Sequence, residues 1–393
     1  MNNKLYFPVL ALAIGHLVTD MQAGALPIVL PHFKEMFALS YSQLAAIVLL
    51  QNFMSSVIQP AFGYLTDRRS LPRMLPYCAA LAVAGFAFVG WAVSYTMLLI
   101  NVVLISLASA TYHPQASKTT NFLSTDANRT KNMGIFSIGG NLGIAAGSIM
   151  MTFLLGLSGG LHNTMYLALP GIIVFILMGR CMGDYIRVNK EHEISQQEKK
   201  AAGGSSRIPW VALFLLLFYI FIRSTINTGI STYLPLFFMK FKDFAPVTAS
   251  SLVSGFLIGG VVGTYTGAVL SDVYGARKIL LGSILLSQPG IAAINIAQTP
   301  LTAMIAVFMT GFCIIGSFAT TVILVQSLMP DKVGMASGLA IGFSVGMGGF
   351  GVTILGFLAD NYGLPFVMHI LVFLPLAAAI AALGIPIPEE LRR

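Results

Sequence analysis

GYLTDRRSLPR, residues 63–73, closes one long apolar run, and GAVLSDVYGARK, residues 267–278, closes another. Each puts an aspartate at the end of the run with basic residues behind it: Asp67 with Arg68, Arg69 and Arg73, and Asp272 with Arg277 and Lys278. Gly63 stands four residues before Asp67, whereas Ala268 takes that place before Asp272, so close helix approach is easier in the first copy. The two aspartates lie 205 positions apart. A second matched pair, Phe136-Ser137-Ile138-Gly139 and Phe343-Ser344-Val345-Gly346, lies 207 apart. Two separate matches at nearly one offset point to a duplication.

The composition says what is duplicated. Of 393 residues, 56% are hydrophobic and only 9% charged, against about 25% charged in a soluble domain. So few charges cannot cover a water-facing surface, and most of the exterior must face lipid. The net charge of +8 gives no nucleic-acid signature, because the basic residues sit in short loops with no basic face. Cys78, Cys181 and Cys313 fall in apolar segments without metal-ligand spacing, as small buried hydrophobes do.

A bilayer core takes about 20 apolar residues per helix. Such segments lie near 5–33, 41–65, 74–94, 97–122, 132–156, 163–183, 208–238, 247–270, 279–297, 301–329, 333–359 and 365–384. The expected fold is an all-α membrane protein: twelve transmembrane helices in two pseudo-symmetric six-helix bundles. The bundles are expected over 1–183 and 208–393, with a flexible cytoplasmic linker over 184–207. With the N-terminus inside, seventeen Lys and Arg fall in cytoplasmic loops and only Lys34, Lys240 and Lys242 outside. Both termini are therefore expected in the cytoplasm.

Ionisable groups at membrane depth are costly and mark function. His16 and Asp20 lie one turn apart on the first helix and share a face. An acid held there can take up and release a proton; the plainer reading is a structural hydrogen-bonded pair. Arg223, in the seventh helix among Ser224, Thr225, Asn227 and Thr228, suits an anion, since a guanidinium pairs with carboxylate or phosphonate through two hydrogen bonds. It also reads as a snorkelling arginine or a helix–helix ion pair. His113-Pro114 is expected to interrupt the fourth helix, exposing carbonyls or merely kinking it. Lys118 could attract anions or snorkel. Gln115, Asn141, Tyr233 and Gln326 are neutral candidates for lining a substrate path, each also explicable as a helix–helix hydrogen bond. Gly63, Asp67, Arg68, Arg69, Arg73, Asp272, Arg277 and Lys278 read as gating residues, a carboxylate at the helix end being able to stabilise a neighbouring helix N-terminus. The glycine rows Gly139, Gly143, Gly147 and Gly342, Gly346, Gly349 suggest close-packed, sliding interfaces.

The loop over Gly63, Asp67, Arg68, Arg69 and Arg73 resembles the signature of the major facilitator superfamily. His16-Leu-Val-Thr-Asp20, Gln59-Pro60 through Asp67, Tyr112-His113-Pro114, Gly139-Gly140-Asn141-Leu-Gly143 and Gly334-Met335-Ala336-Ser-Gly338 resemble the fosmidomycin resistance protein family over nearly the whole chain. The resemblance implies efflux of small molecules, an anionic phosphonate antibiotic among them, coupled to protons. It departs at one point: that family commonly follows His-Pro with Glu and, three residues later, Arg. Here those places hold Gln115, which cannot titrate, and Lys118, which lacks the guanidinium fork.

No Walker loop, catalytic triad or dense metal cluster is present, so an ion gradient is the expected energy source and no enzyme activity or cofactor is expected. The leading expectation is a monomeric drug/proton antiporter of the bacterial inner membrane. His113, Lys118 and Arg223 would draw in a small anionic compound, and Asp20, aided by His16, would exchange the proton. Proton symport of an anionic metabolite stays open, because direction is not written in a sequence. An intramembrane metal-dependent protein using His16, Asp20 and His113 stays open too, but needs its ligands brought to one depth.

Overall fold

The computed structural model of the chain describes residues 6–201, 208–388 and 391. Lys4, Arg207, Arg392, Arg393 and the linker positions 202–207 lie outside the described residues, as do the side chains of Lys199 and Lys200.

Helices account for nearly all of the described chain: α1 Tyr6–Met36, α2 Tyr41–Arg68, α3 Met74–Ala87, α4 Tyr95–Phe122, α5 Arg129–Leu155, α6 Ala168–Arg180, α7 Met182–Ala201, α8 Trp210–Phe241, α9 Pro246–Tyr274, α10 Ala276–Ile296, α11 Pro300–Gly316, α12 Phe318–Leu328, α13 Val333–Tyr362 and α14 Leu364–Gly384. They give twelve spans long and apolar enough to cross a membrane. Helices suit that setting because every backbone group is bonded within its own segment. Two of the narrow splits in the sequence are fixed by caps. Ser94 Oγ accepts from the Met97 amide at 3.2 Å to start α4, and Thr299 and Thr302 form a capping box that starts α11.

Three features differ from the sequence reading. The stretch expected as a flexible linker is helical up to Ala201, being rich in the good helix formers Glu, Lys and Gln. Its apolar stripe is docked: Tyr185 and Val188 are buried, and the Tyr185 hydroxyl donates to the Pro8 carbonyl at 3.0 Å. The tenth span breaks at Ser317 into α11 and α12, a Gly-Ser step being a common site for such a break. The Tyr219 hydroxyl reaches Ser317 Oγ at 3.0 Å. Pro114, conversely, does not interrupt α4, which runs unbroken through it.

Contacts divide the chain into two compact units. The first takes in α1–α4, α5 from Ile135, α6, α7 and Pro330–Gly342. The second takes in Asp126–Gly134, α8–α12, α13 from Phe343, and α14. Neither boundary in α5 or α13 was foreseen, since both fall inside a helix.

Glycine sets the closest packing in each unit. In the first, Gly139, Gly143 and Gly147 of α5 lie directly on the carbonyls of Ala13, Leu17 and Met21 of α1, so that any Cβ would collide with backbone. Also in the first unit, Gly334, Gly338 and Gly342 pack on Gly63, Gln59 and Ser56 of α2. In the second, Gly259, Gly263 and Gly267 of α9 meet the carbonyls of Phe308, Phe312 and Gly316. These are the small-residue interfaces on which membrane helices associate. The expected row on α13 is thereby shifted toward its N-terminus: Gly342 packs closely, while Gly349 has open space beside it.

Candidate functional site

The α1–α5 glycine contact brings α1 close enough to place His16 between α5 and α4. The His16 ring stacks on Phe136 with centroids 4.2 Å apart, and meets the His113 ring edge-on at 4.8 Å. A carbonyl oxygen can only accept, so His16 Nδ1 donates to the Phe136 carbonyl at 2.7 Å and His113 Nδ1 donates to the Ser109 carbonyl at 2.8 Å. Both rings therefore present Nε2 to Asp20. His16 Nε2 lies 3.2 Å from Oδ2 and His113 Nε2 lies 3.0 Å from Oδ1. Gly140 leaves the room for this: a Cβ there would stand 2.8 Å from Asp20 Oδ2.

Counting protons shows what the trio can do. With both Nδ1 hydrogens committed to the main chain, each Nε2–carboxylate contact needs a proton of its own, on nitrogen or oxygen. The group is satisfied with two extra protons, has one contact unmade with one, and sets lone pair against lone pair with none. Its side chains are largely withdrawn from solvent, Asp20 retaining 16% exposure against 7% and 6% for the histidines. A desolvated carboxylate flanked by two imidazoles thus has the chemistry to hold up to two extra protons.

Lys118 and Gln115, candidates for attracting an anion and lining a substrate path, each have protein partners of their own. Lys118 Nζ donates to the Thr66 carbonyl at 2.8 Å and pairs with Asp67 Oδ1 at 3.2 Å, with 6% and 9% of the two side chains exposed. Asp67 accepts from the Gly334 and Met335 amides, both at 2.8 Å, and so caps the first turn of α13. Gln115 donates to Thr119 Oγ1 and Asn189 Oδ1, both at 3.2 Å, tying α4 to α7. It is a helix–helix hydrogen bond. A cavity of about 620 Å³ adjoins this end of the first unit, lined among others by Asp67, Arg68, Arg69 and Lys118. Arg68 covers the Tyr64 ring at 4.7 Å, and Arg73 is exposed. Asn141 is half-buried on α5.

In the second unit Asp272 repeats the Asp67 pattern, accepting from the Thr130 amide at 3.1 Å and the Lys131 amide at 2.7 Å. Arg277 donates to the Ile385 carbonyl at 2.6 Å, and Lys278 is exposed. Arg223 is buried, with 3% exposure. It donates to Ser344 Oγ at 3.0 Å, lies 5.2 Å over the Phe318 ring, and leaves its Nε without a partner. Among the described residues no carboxylate pairs with it. Tyr233 donates to the Val352 carbonyl at 3.0 Å, and Gln326 is buried on α12.

Sequence reasoning left Ser109, Phe136, Ser344 and Asn189 without a role. Two of them act through backbone carbonyls, which no residue type announces. Ser344 lay in a noticed repeat, and that was its only signal.

The profile of the Major Facilitator Superfamily matches residues 12–250 and 216–393. The chain is 30% identical over 389 residues to an uncharacterized MFS-type transporter, YfnC, of Bacillus subtilis (strain 168), covering 98% of this chain and 94% of that protein. It is 27% identical over 370 residues to the fosmidomycin resistance protein of Escherichia coli (strain K12), covering 93% and 89%. In fold it resembles the proton:xylose symporter XylE, with a TM-score of 0.78 at 12% identity over 99% of this chain and 98% of that one. Its relatives are transporters, not enzymes. Twelve spans, the duplicated capping aspartates and a family profile running from residue 12 to the last residue lead to one conclusion: this chain is a multi-pass membrane transporter of the Major Facilitator Superfamily.

Proposed function

We propose that the protein exports a small anionic organic compound, a phosphonate being the favoured class, in exchange for protons by alternating access. The membrane is the bacterial inner membrane, with both termini cytoplasmic. The observation that carries the anionic substrate is Arg223: a buried guanidinium whose polar contact is one serine hydroxyl and whose Nε is unpartnered. Leaving such a cation in a dry site is costly unless an anion completes it. Paired hydrogen bonds from guanidinium to phosphonate or carboxylate are the natural completion. The relative named for fosmidomycin resistance supports export and the phosphonate class.

Protons are exchanged at the trio of His16, Asp20 and His113. We assign His113 to this group in place of the substrate path, a reading supported by its Nε2 facing Asp20. Asn141, Tyr233 and Gln326 remain candidate lining groups. Asp67 with Lys118, and Asp272, act as latches on the first turns of α13 and α5; contacts made in only one state bias the equilibrium between states. The test is gradient-driven movement in sided proteoliposomes. An outside-acid gradient should drive a phosphonate outward against its own gradient; movement inward along with the protons would instead establish symport.

A further inference from the structure

The geometry points to a second occupant for the trio: we propose that His16, Asp20 and His113 bind one transition-metal dication, with zinc the fitting probe. The inference stands on side-chain placement and not on the transport reading. One ligand atom from each residue lies within 4.8 Å of the others. A tetrahedral zinc ion with ligands at about 2.0–2.1 Å holds them roughly 3.3 Å apart. Each Nε2 already stands at that spacing from one carboxylate oxygen, His16 at 3.2 Å from Oδ2 and His113 at 3.0 Å from Oδ1, so a small turn of the carboxylate and closure of the two rings would gather the set about one ion.

The outer contacts are those a metal site requires. Ligating histidines characteristically give their other ring N–H to a carbonyl or carboxylate, which fixes the tautomer and aims the free nitrogen. Here Nδ1 of His16 is held by the Phe136 carbonyl and Nδ1 of His113 by the Ser109 carbonyl. Nε2 is therefore the only ring atom either can offer, and both converge on one carboxylate. Imidazole and carboxylate together suit zinc, copper and nickel better than calcium or magnesium. Three protein ligands leave a fourth position for water or an anion. The charge agrees as well: a dication on a carboxylate and two neutral imidazoles leaves +1, the same net charge as the trio with two extra protons. The third ligand that the sequence could not place is supplied by α4.

The test is zinc binding to the purified full-length protein in detergent, without a histidine tag, near neutral pH and with no substrate or gradient. One equivalent should bind at low-micromolar zinc, and X-ray absorption of the wild type should report two imidazoles with oxygen. Asp20→Asn and His113→Gln, eluting as wild type does, should each lose at least tenfold in affinity, while His192→Gln on α7 should not. Absence of a bound equivalent, a spectrum without imidazole, or unchanged binding in the two trio variants would each overturn the metal site. A protein that binds zinc through the trio yet exchanges no protons would sink the transport reading alone.

Discussion

His113 on α4 and Asp20 on α1, 93 residues apart in sequence, face each other at 3.0 Å from Nε2 to Oδ1. That contact turns a one-turn pair on α1 into a three-residue group, because His16 occupies the other carboxylate oxygen. With each Nδ1 spent on a carbonyl, both histidines aim Nε2 at one carboxylate.

His113→Gln should therefore behave as a coupling variant. Glutamine can still donate to Asp20 but cannot take up a proton. Transport driven by a pH gradient should fall by an order of magnitude or more, while equilibrium substrate binding changes little. Comparing the two in the same preparation checks it; equal losses in both would place His113 on the substrate instead.

Arg223→Ala should weaken binding of an anionic substrate. Hydrogen bonds to charged groups are worth about 1.5–3 kcal/mol each, or roughly 10- to 150-fold in affinity. Arg223→Lys should recover only part, since it keeps the charge and loses the fork. Titration calorimetry with a phosphonate and with an uncharged analogue separates the charge from the shape: only the phosphonate should respond.

Asp67→Asn should destabilise the protein. It leaves Lys118 buried against only the Thr66 carbonyl and takes the charge from the cap on α13. Breaking one side of a buried pair costs about 3–5 kcal/mol. The Asp67→Asn/Lys118→Met double variant should unfold at a higher temperature than Asp67→Asn, because no orphaned charge remains. If the single variant unfolds where wild type does, the pair is not the latch described.

Gly143→Val should be poorly tolerated. A Cβ there collides with the Leu17 carbonyl, so α1 and α5 must part. Overpacking of this kind costs about 1–3 kcal/mol. The same parting would shift His16 off Phe136, so both thermal stability and gradient-driven transport should drop. Gly349→Ala, beside open space on α13, is the matched control and should leave both unchanged.

Much of this was legible in the chain. Twelve apolar runs and a 205–207 repeat carry the fold, because lipid leaves a backbone no alternative to the helix. Asp20, His16 and Arg223 stood out because ionisable groups at depth are costly. What the sequence hid was partnership. Nothing local says that His113 turns to Asp20 while Lys118, five residues on, turns to Asp67; the division follows from which helices α4 touches along its length. The partner of Gln115 is hidden for the same reason, Asn189 lying on a helix that looks like a linker in the sequence. Pro114 misled in the other direction: its missing N–H implied a break, yet α4 continues through it.

The most direct test of the account is substrate movement by Asp20→Asn in proteoliposomes, measured two ways. The account predicts that an imposed pH gradient no longer drives net movement of the phosphonate, whereas counterflow, which needs no net proton transfer, persists. Gradient-driven transport at the wild-type rate in Asp20→Asn would contradict it.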